Sequence, residues 1–225
     1  MTLQQSDRAP NLWVADDVVI PDDVHIGVNV VLYPGVRLSS GCHIEDGAVL
    51  GKLSRPGPGS IHRAETEALE TRIGERTLVG TYVVVCVGAH IGDDVFLGDH
   101  SLVRDRARVG NGVSLGRGST IGLESVVGDR LRTQGYVGIG TRITIEEDVF
   151  LGPQVILLSG LTMTHDEDPA TRNFHSPVLR RGCRIGSAAQ VMPGVEIGEG
   201  STVGANSVVV RDVPAGATVK GTPAR

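Results

Sequence analysis

The chain has 225 residues, 40% of them apolar, which is enough for one large core, and it reads as a single domain. Aromatics make up only 3% and the formal net charge is −5, so there is little to stack on bases and no attraction for a polyanion; no nucleic-acid partner is expected. There is no apolar run of about twenty residues and no basic start followed by an apolar stretch, so the expectation is a soluble cytoplasmic protein with no membrane partner.

After a lead-in over 1–12, aliphatic residues recur every six positions: Val14, Ile20, Ile26, Leu32, Leu38, Ile44 and Leu50. Neither the helical period of about 3.6 nor the strand period of two produces a six. A first interruption runs from Gly51 to Arg72. Its Pro/Gly-rich start reads as a loop, and "RAETEALE" at its end has the helix formers for one short helix. It is read as a solvated insertion, the alternative being a cover for an acceptor site. From Ile73 to Leu157 the six-residue phase holds without a slip, Thr133 being its one polar member. A second interruption, Ser159 to Val178, is followed by a further run from Leu179 to Val209 and a tail over 214–225.

Four places after the aliphatic residue stands a second set that is mostly small or β-branched, such as Ala89, Val95, Ser101 and Ala107. Directly after the aliphatic residue there is very often glycine, as at Gly74, Gly92, Gly98 and Gly116. This is a coil of short strands and tight corners. Both sets point inward, and glycine serves a corner that needs unusual torsions or the close approach of neighbouring backbone. One repeat cannot bury its own face, but a stack can, at a strand spacing of roughly 4.8 Å. The three cysteines give no disulfide framework and no zinc spacing; Cys42 and Cys183 fall on inward positions and Cys86 on a usual glycine position.

Loops thrown from a rigid scaffold are where chemistry tends to sit. The second interruption holds His165, Asp168, Arg172, Asn173 and His175. His165 suits a general base because an imidazole accepts a proton near neutral pH. Ser187 and Ala205 are eighteen residues apart, one coil if three six-residue sides close a turn, so they stack on one edge. Arg104, Arg106 and Arg108 alternate in "VRDRARV" and read as a solvated face, with a sugar-nucleotide diphosphate as the sharper alternative.

The six-residue repeat, "THDEDPATRN" and the closing "GTPAR" together resemble the hexapeptide-repeat acyltransferase family, closest to sugar and nucleotide-sugar acetyltransferases. The resemblance implies an all-β fold, the left-handed parallel β-helix, with two loop insertions. It implies direct transfer of acetyl from acetyl-CoA to an amino group of a nucleotide-linked sugar, with His165 removing the acceptor's proton. It places the donor on Ser187, Ala205, Arg211, Lys220 and Arg225, the Ser187 N–H near the thioester oxygen. Asp168 braces the loop or forms a turn, and Asn173 contacts the acceptor. The loop, over 159–178, is then the catalytic loop, and the assembly a homotrimer with sites between subunits. An O-acetyltransferase acting on a sugar or xenobiotic is the enzyme alternative. A carbonic-anhydrase-like site needs two histidines five apart, a spacing absent from the chain, so no metal is expected. The non-enzyme alternative is a scaffold, which needs neither the His165 loop nor a basic C-terminus.

Overall fold

The computed structural model describes residues 2–55, 69–160 and 175–225. Those residues hold strands and corners and no helix, and the strands form three sheets of 11, 8 and 10 members. Face A is the largest and includes Val31–Leu32, Leu102–Val103 and Val208–Val209. Face C has eight strands, among them His90–Ile91, and face B has ten, among them Phe96–Leu97. The chain visits B, A and C in turn and comes back one rung higher: Ile91 is flanked by Ile73 and Val109, eighteen residues on either side. The result is a parallel β-helix of about ten turns, triangular in section.

The inward residues make one continuous column. Ile73, Leu97, Leu115, Ile121 and Ile145 are fully buried, with Val95, Ala107 and Val113 between them. Several inward hydroxyls are used by the stack, whereas the buried Ser101 Oγ has no partner among the described residues. Ser119 Oγ donates to the carbonyl of Gln134 and accepts from the N–H of Val137, and Ser125 and Thr77 do the same to their own upper neighbours. Each therefore stitches one coil to the next while filling the corner. Cys42 and Cys183 are buried in this column, and burial pushes the Cys183 thiol up to about 12.

The glycine after each aliphatic residue is required by close approach. A Cβ at Gly98 would lie 2.7 Å from the backbone nitrogen of Arg117 in the next coil, and no positive φ is involved there. The left-handed torsions fall two residues later, and many are carried by residues with side chains: His100, Arg106, Arg130 and Asp148 have φ of 59, 55, 57 and 61°. These side chains stand outside and pair along the edges. Arg76 forks onto Asp94 at 2.7 and 2.8 Å, and Arg130 onto Asp148 at 2.7 and 2.9 Å. The guanidinium in each pair holds its carboxyl below the usual range.

Both excursions open the same edge, between faces A and C. Leu50 pairs with Val85, thirty-five residues on, and Leu157 with Val191, thirty-four on, instead of eighteen. The coil itself continues through Lys52 and resumes at Thr71, so the first excursion is shorter at both ends than 51–72; Val178 likewise belongs to a strand. The helix expected over "RAETEALE" lies outside the described residues, apart from Leu69 and Glu70. The lead-in is also ordered: Leu3–Ser6 runs antiparallel to Leu12–Ala15 and ends face A. At the other end, Thr218–Val219 pairs with Thr202–Val203 at a step of sixteen, so residues 214–225 include part of a shortened coil.

Gly98→Ala tests the close approach. Forcing a methyl against backbone is expected to cost about 1–3 kcal/mol, read as a lower urea midpoint at unchanged slope.

Candidate active site

The candidate donor edge lies between faces B and A. Ser187 follows Ile185 by two, and Ala205 follows Val203 by two. Gly152 and Gly186 beneath them make the stack possible: a Cβ there would be 2.8 Å from the Ser187 nitrogen and 2.6 Å from the Ala205 nitrogen. The N–H of Asn206 donates to the Ser187 carbonyl at 2.9 Å and fixes the register. Ser187 and Ala205 are both exposed.

The corresponding N–H groups on the C–B edge are capped. Asp93 accepts from the N–H of Glu75, Asn111 from that of Asp93, and Asp129 from that of Asn111, at 2.8, 2.8 and 2.7 Å. Each cap comes from the residue one coil further on. For Ser187 that residue is Ala205, which has no acceptor, and among the described residues the N–H groups of Ser187 and Ala205 have no partner. The edge therefore offers two N–H donors in file, beside small side chains, to an extended chain of amide carbonyls.

Lys220 and Arg225 join this edge. Lys220 lies over Gly204, and Lys220 and Arg225 exchange backbone hydrogen bonds of 3.1 Å. The Gly221 N–H donates to Ser207 Oγ at 3.0 Å, tying the basic end to the last full coil. Arg211 stands elsewhere in the same chain. It follows Val209 by two and so stands on the A–C edge, across face A from the other four. The strand that precedes it runs away from the donor edge, which the six-residue pattern alone does not display.

His165, Asp168 and Asn173 lie outside the described residues. The base of their loop is well defined: the Thr141 N–H donates to Ser159 Oγ at 3.0 Å, and Ser176 Oγ donates to the Thr141 carbonyl at 2.7 Å. One threonine thus clasps both ends. His175 is exposed, and its carbonyl accepts from Gly194 at 2.6 Å. The loop leaves from the A–C edge, on the opposite border of face A from the donor edge.

The three arginines of "VRDRARV" are taken up locally. Arg104 sits 3.6 Å from Asp105, Arg106 pairs with Glu124, and Arg108 donates to the Gly88 carbonyl at 2.7 Å. Sequence reasoning passed over a different set. A groove of about 830 Å³ crosses face B and is lined by Arg132, Phe150, Arg184 and Thr202, with Gly186 at the donor-edge side. Its residues are one step from the aliphatic column, and the second excursion breaks their eighteen-residue spacing; reading the sequence coil by coil with the excursion removed aligns them. Among the described residues, no group of three or more His, Cys, Asp or Glu could hold a metal ion.

The comparisons agree with this architecture. The model for "Bacterial transferase hexapeptide (six repeats)" matches residues 88–123 and 176–211, and that for "Hexapeptide repeat of succinyl-transferase" matches 17–52 and 70–98. The chain belongs to the hexapeptide-repeat transferase family, whose fold is the left-handed parallel β-helix. It is 36% identical over 87 residues to a serine acetyltransferase of Buchnera aphidicola, covering 39% of this chain and 29% of that one. It is 29% identical over 198 residues to the bifunctional protein GlmU of Acinetobacter baylyi, covering 87% of this chain and 36% of that one. The chain therefore spans about a third of the length of these relatives. Among solved structures, Arabidopsis UDP-N-acetylglucosamine acyltransferase superposes with a TM-score of 0.47 at 18% identity, over 99% of this chain and 73% of that one.

Ala205→Asp restores the missing cap. It is expected to slow amide exchange at Ser187 and to add about 0.5–1.5 kcal/mol of stability, read by hydrogen exchange and urea unfolding.

Proposed function

We propose that the protein is an acetyl-CoA-dependent acetyltransferase acting in the cytoplasm on the amino group of a nucleotide-linked sugar. The observation that carries the donor half is the uncapped Ser187–Ala205 edge ending in Lys220 and Arg225. The pantetheine amides run along that edge, and the basic residues meet the phosphates. The names of the relatives, acetyltransferases among them, point the same way.

The acceptor nitrogen attacks the thioester carbonyl carbon while His165 takes its proton. The Ser187 N–H donates to the developing oxyanion, and collapse expels the thiolate of coenzyme A, which receives the proton from the imidazolium. Asp168 braces the loop and Asn173 contacts the acceptor. The serine acetyltransferase relatives favour a second reading, in which the acceptor is a hydroxyl.

The loop that carries the proposed base leaves from the A–C edge and the donor edge lies on the other border of face A, so we take the base from a neighbouring copy. Face A is also the apolar face: its outward ladder includes Trp13, Val31, Val84, Leu102 and Ile156, whereas face C presents Arg37, Arg72, His90 and Arg108. Three copies packing face A around a threefold axis bury this ladder and set the loop of one against the donor edge of the next. The homotrimer completes the site.

Acetyl-CoA at about 100 times its Kd is expected to add roughly 2.7 kcal/mol of stability. Ala205→Asp should abolish that gain, while His165→Ala should keep it and lose about 10²–10⁴ in turnover, followed by thiol release. A protein indifferent to acetyl-CoA is the scaffold. Ile156→Glu, on face A, is expected to dissociate the trimer and remove activity together, as native mass spectrometry and the same assay would show.

A further inference from the structure

Face B carries a groove with its own chemistry. Its floor is one ladder: Arg132 is the register partner of Phe150, and Phe150 of Arg184. A half-buried phenyl ring thus lies between two exposed guanidinium groups, one rung to each side at roughly 4.8 Å per rung. Several other arginines along the stack are committed. Arg76, Arg130, Arg180 and Arg181 are held by carboxylates, and Arg108 by backbone carbonyls. The guanidinium groups of Arg132 and Arg184 make no hydrogen bond, ion pair or ring contact among the described residues. The Asp148 carboxylate on the groove rim is occupied by Arg130 and does not neutralise them.

Two cations about a nanometre apart on one ladder, with an apolar ring between them and no carboxylate paired to either among the described residues, make a groove floor suited to an anion. We infer that Arg132, Phe150 and Arg184 bind the nucleoside diphosphate part of the acceptor, a reading that rests on the proposed acyl transfer. The guanidinium groups take the phosphates as forked donors, and Phe150 packs against the ring system. A volume of about 830 Å³ suits a ligand of that size. Thr202 supplies a hydroxyl at the wall, and Gly186 opens the groove toward Ser187, where the acyl group is expected. The sugar then extends from the diphosphate toward the donor edge.

Coenzyme A carries a diphosphate too, and a dicarboxylate could bridge two arginines, so the test separates the three. UDP, inorganic pyrophosphate, succinate and coenzyme A are titrated calorimetrically into the full-length wild type and into Arg132→Gln, Arg184→Gln, Arg184→Lys and Phe150→Leu. The expected result is that wild type binds UDP more tightly than pyrophosphate. Each Gln variant should weaken UDP by about tenfold or more, Arg184→Lys less so, and Phe150→Leu should weaken UDP but not pyrophosphate. Coenzyme A affinity and the ligand-free melting temperature should not change. The inference is overturned if UDP fails to bind at millimolar concentration, if the Gln variants bind it as wild type does, or if succinate binds in its place. It is equally overturned if coenzyme A affinity falls with that of UDP, since the arginines then serve the donor. Failure of acetyl-CoA to bind, with UDP binding intact, would sink the transferase reading and leave the nucleotide groove standing.

Discussion

Everything in this molecule depends on how closely one coil lies on the next. At the glycines that follow many of the aliphatic residues, backbone meets backbone so tightly that a methyl group has no room, as at Gly98, Gly152 and Gly186. That contact keeps the rungs at strand spacing on all three faces. It also keeps the inward column dense enough for a narrow interior to be dry and fully packed. Because each coil bonds only its neighbours, stability is local and additive along the stack.

The same contact positions the chemistry. Ser187 and Ala205 can stand in file because glycines lie beneath them. Their N–H groups are free because the residue that caps such a group on the neighbouring edge is alanine here. A donor site of this kind is made by withholding one side chain from an otherwise repeated arrangement. The groove on face B differs in charge: Arg130 on its rim is paired with Asp148, whereas Arg132 and Arg184 on its floor have no carboxylate partner among the described residues.

The coil was legible in the sequence because its period is enforced by sterics at every turn. Ile73 through Leu157 keeps phase because a slip of one residue would turn the aliphatic column outward. The role of glycine was less legible. Close approach and unusual torsion were both open, and the structure selects approach, with the left-handed torsions carried two residues later by residues such as His100 and Arg130. Ser187 and Ala205 were read from their spacing. Which edge Arg211 joins was not legible, because linear nearness in the last coil hides it; the residue stands on the far border of face A, from which the second excursion also leaves. Arg132, Phe150 and Arg184 were missed because outward residues obey no steric rule and an excursion interrupts their register. His165, Asp168 and Asn173 rest on a motif, and no coil geometry bears on them.

The Thr141 clasp has a consequence for how such a protein can change. Serines at the two ends of the second excursion are pinned to one residue of the coil below. The chain thus leaves and returns at a fixed gate whose width does not depend on what lies between. A loop of different length or composition can be exchanged through that gate without disturbing any rung. The scaffold can then be inherited unchanged while acceptor preference drifts, and selection on what the protein recognises need not trade against selection on whether it folds.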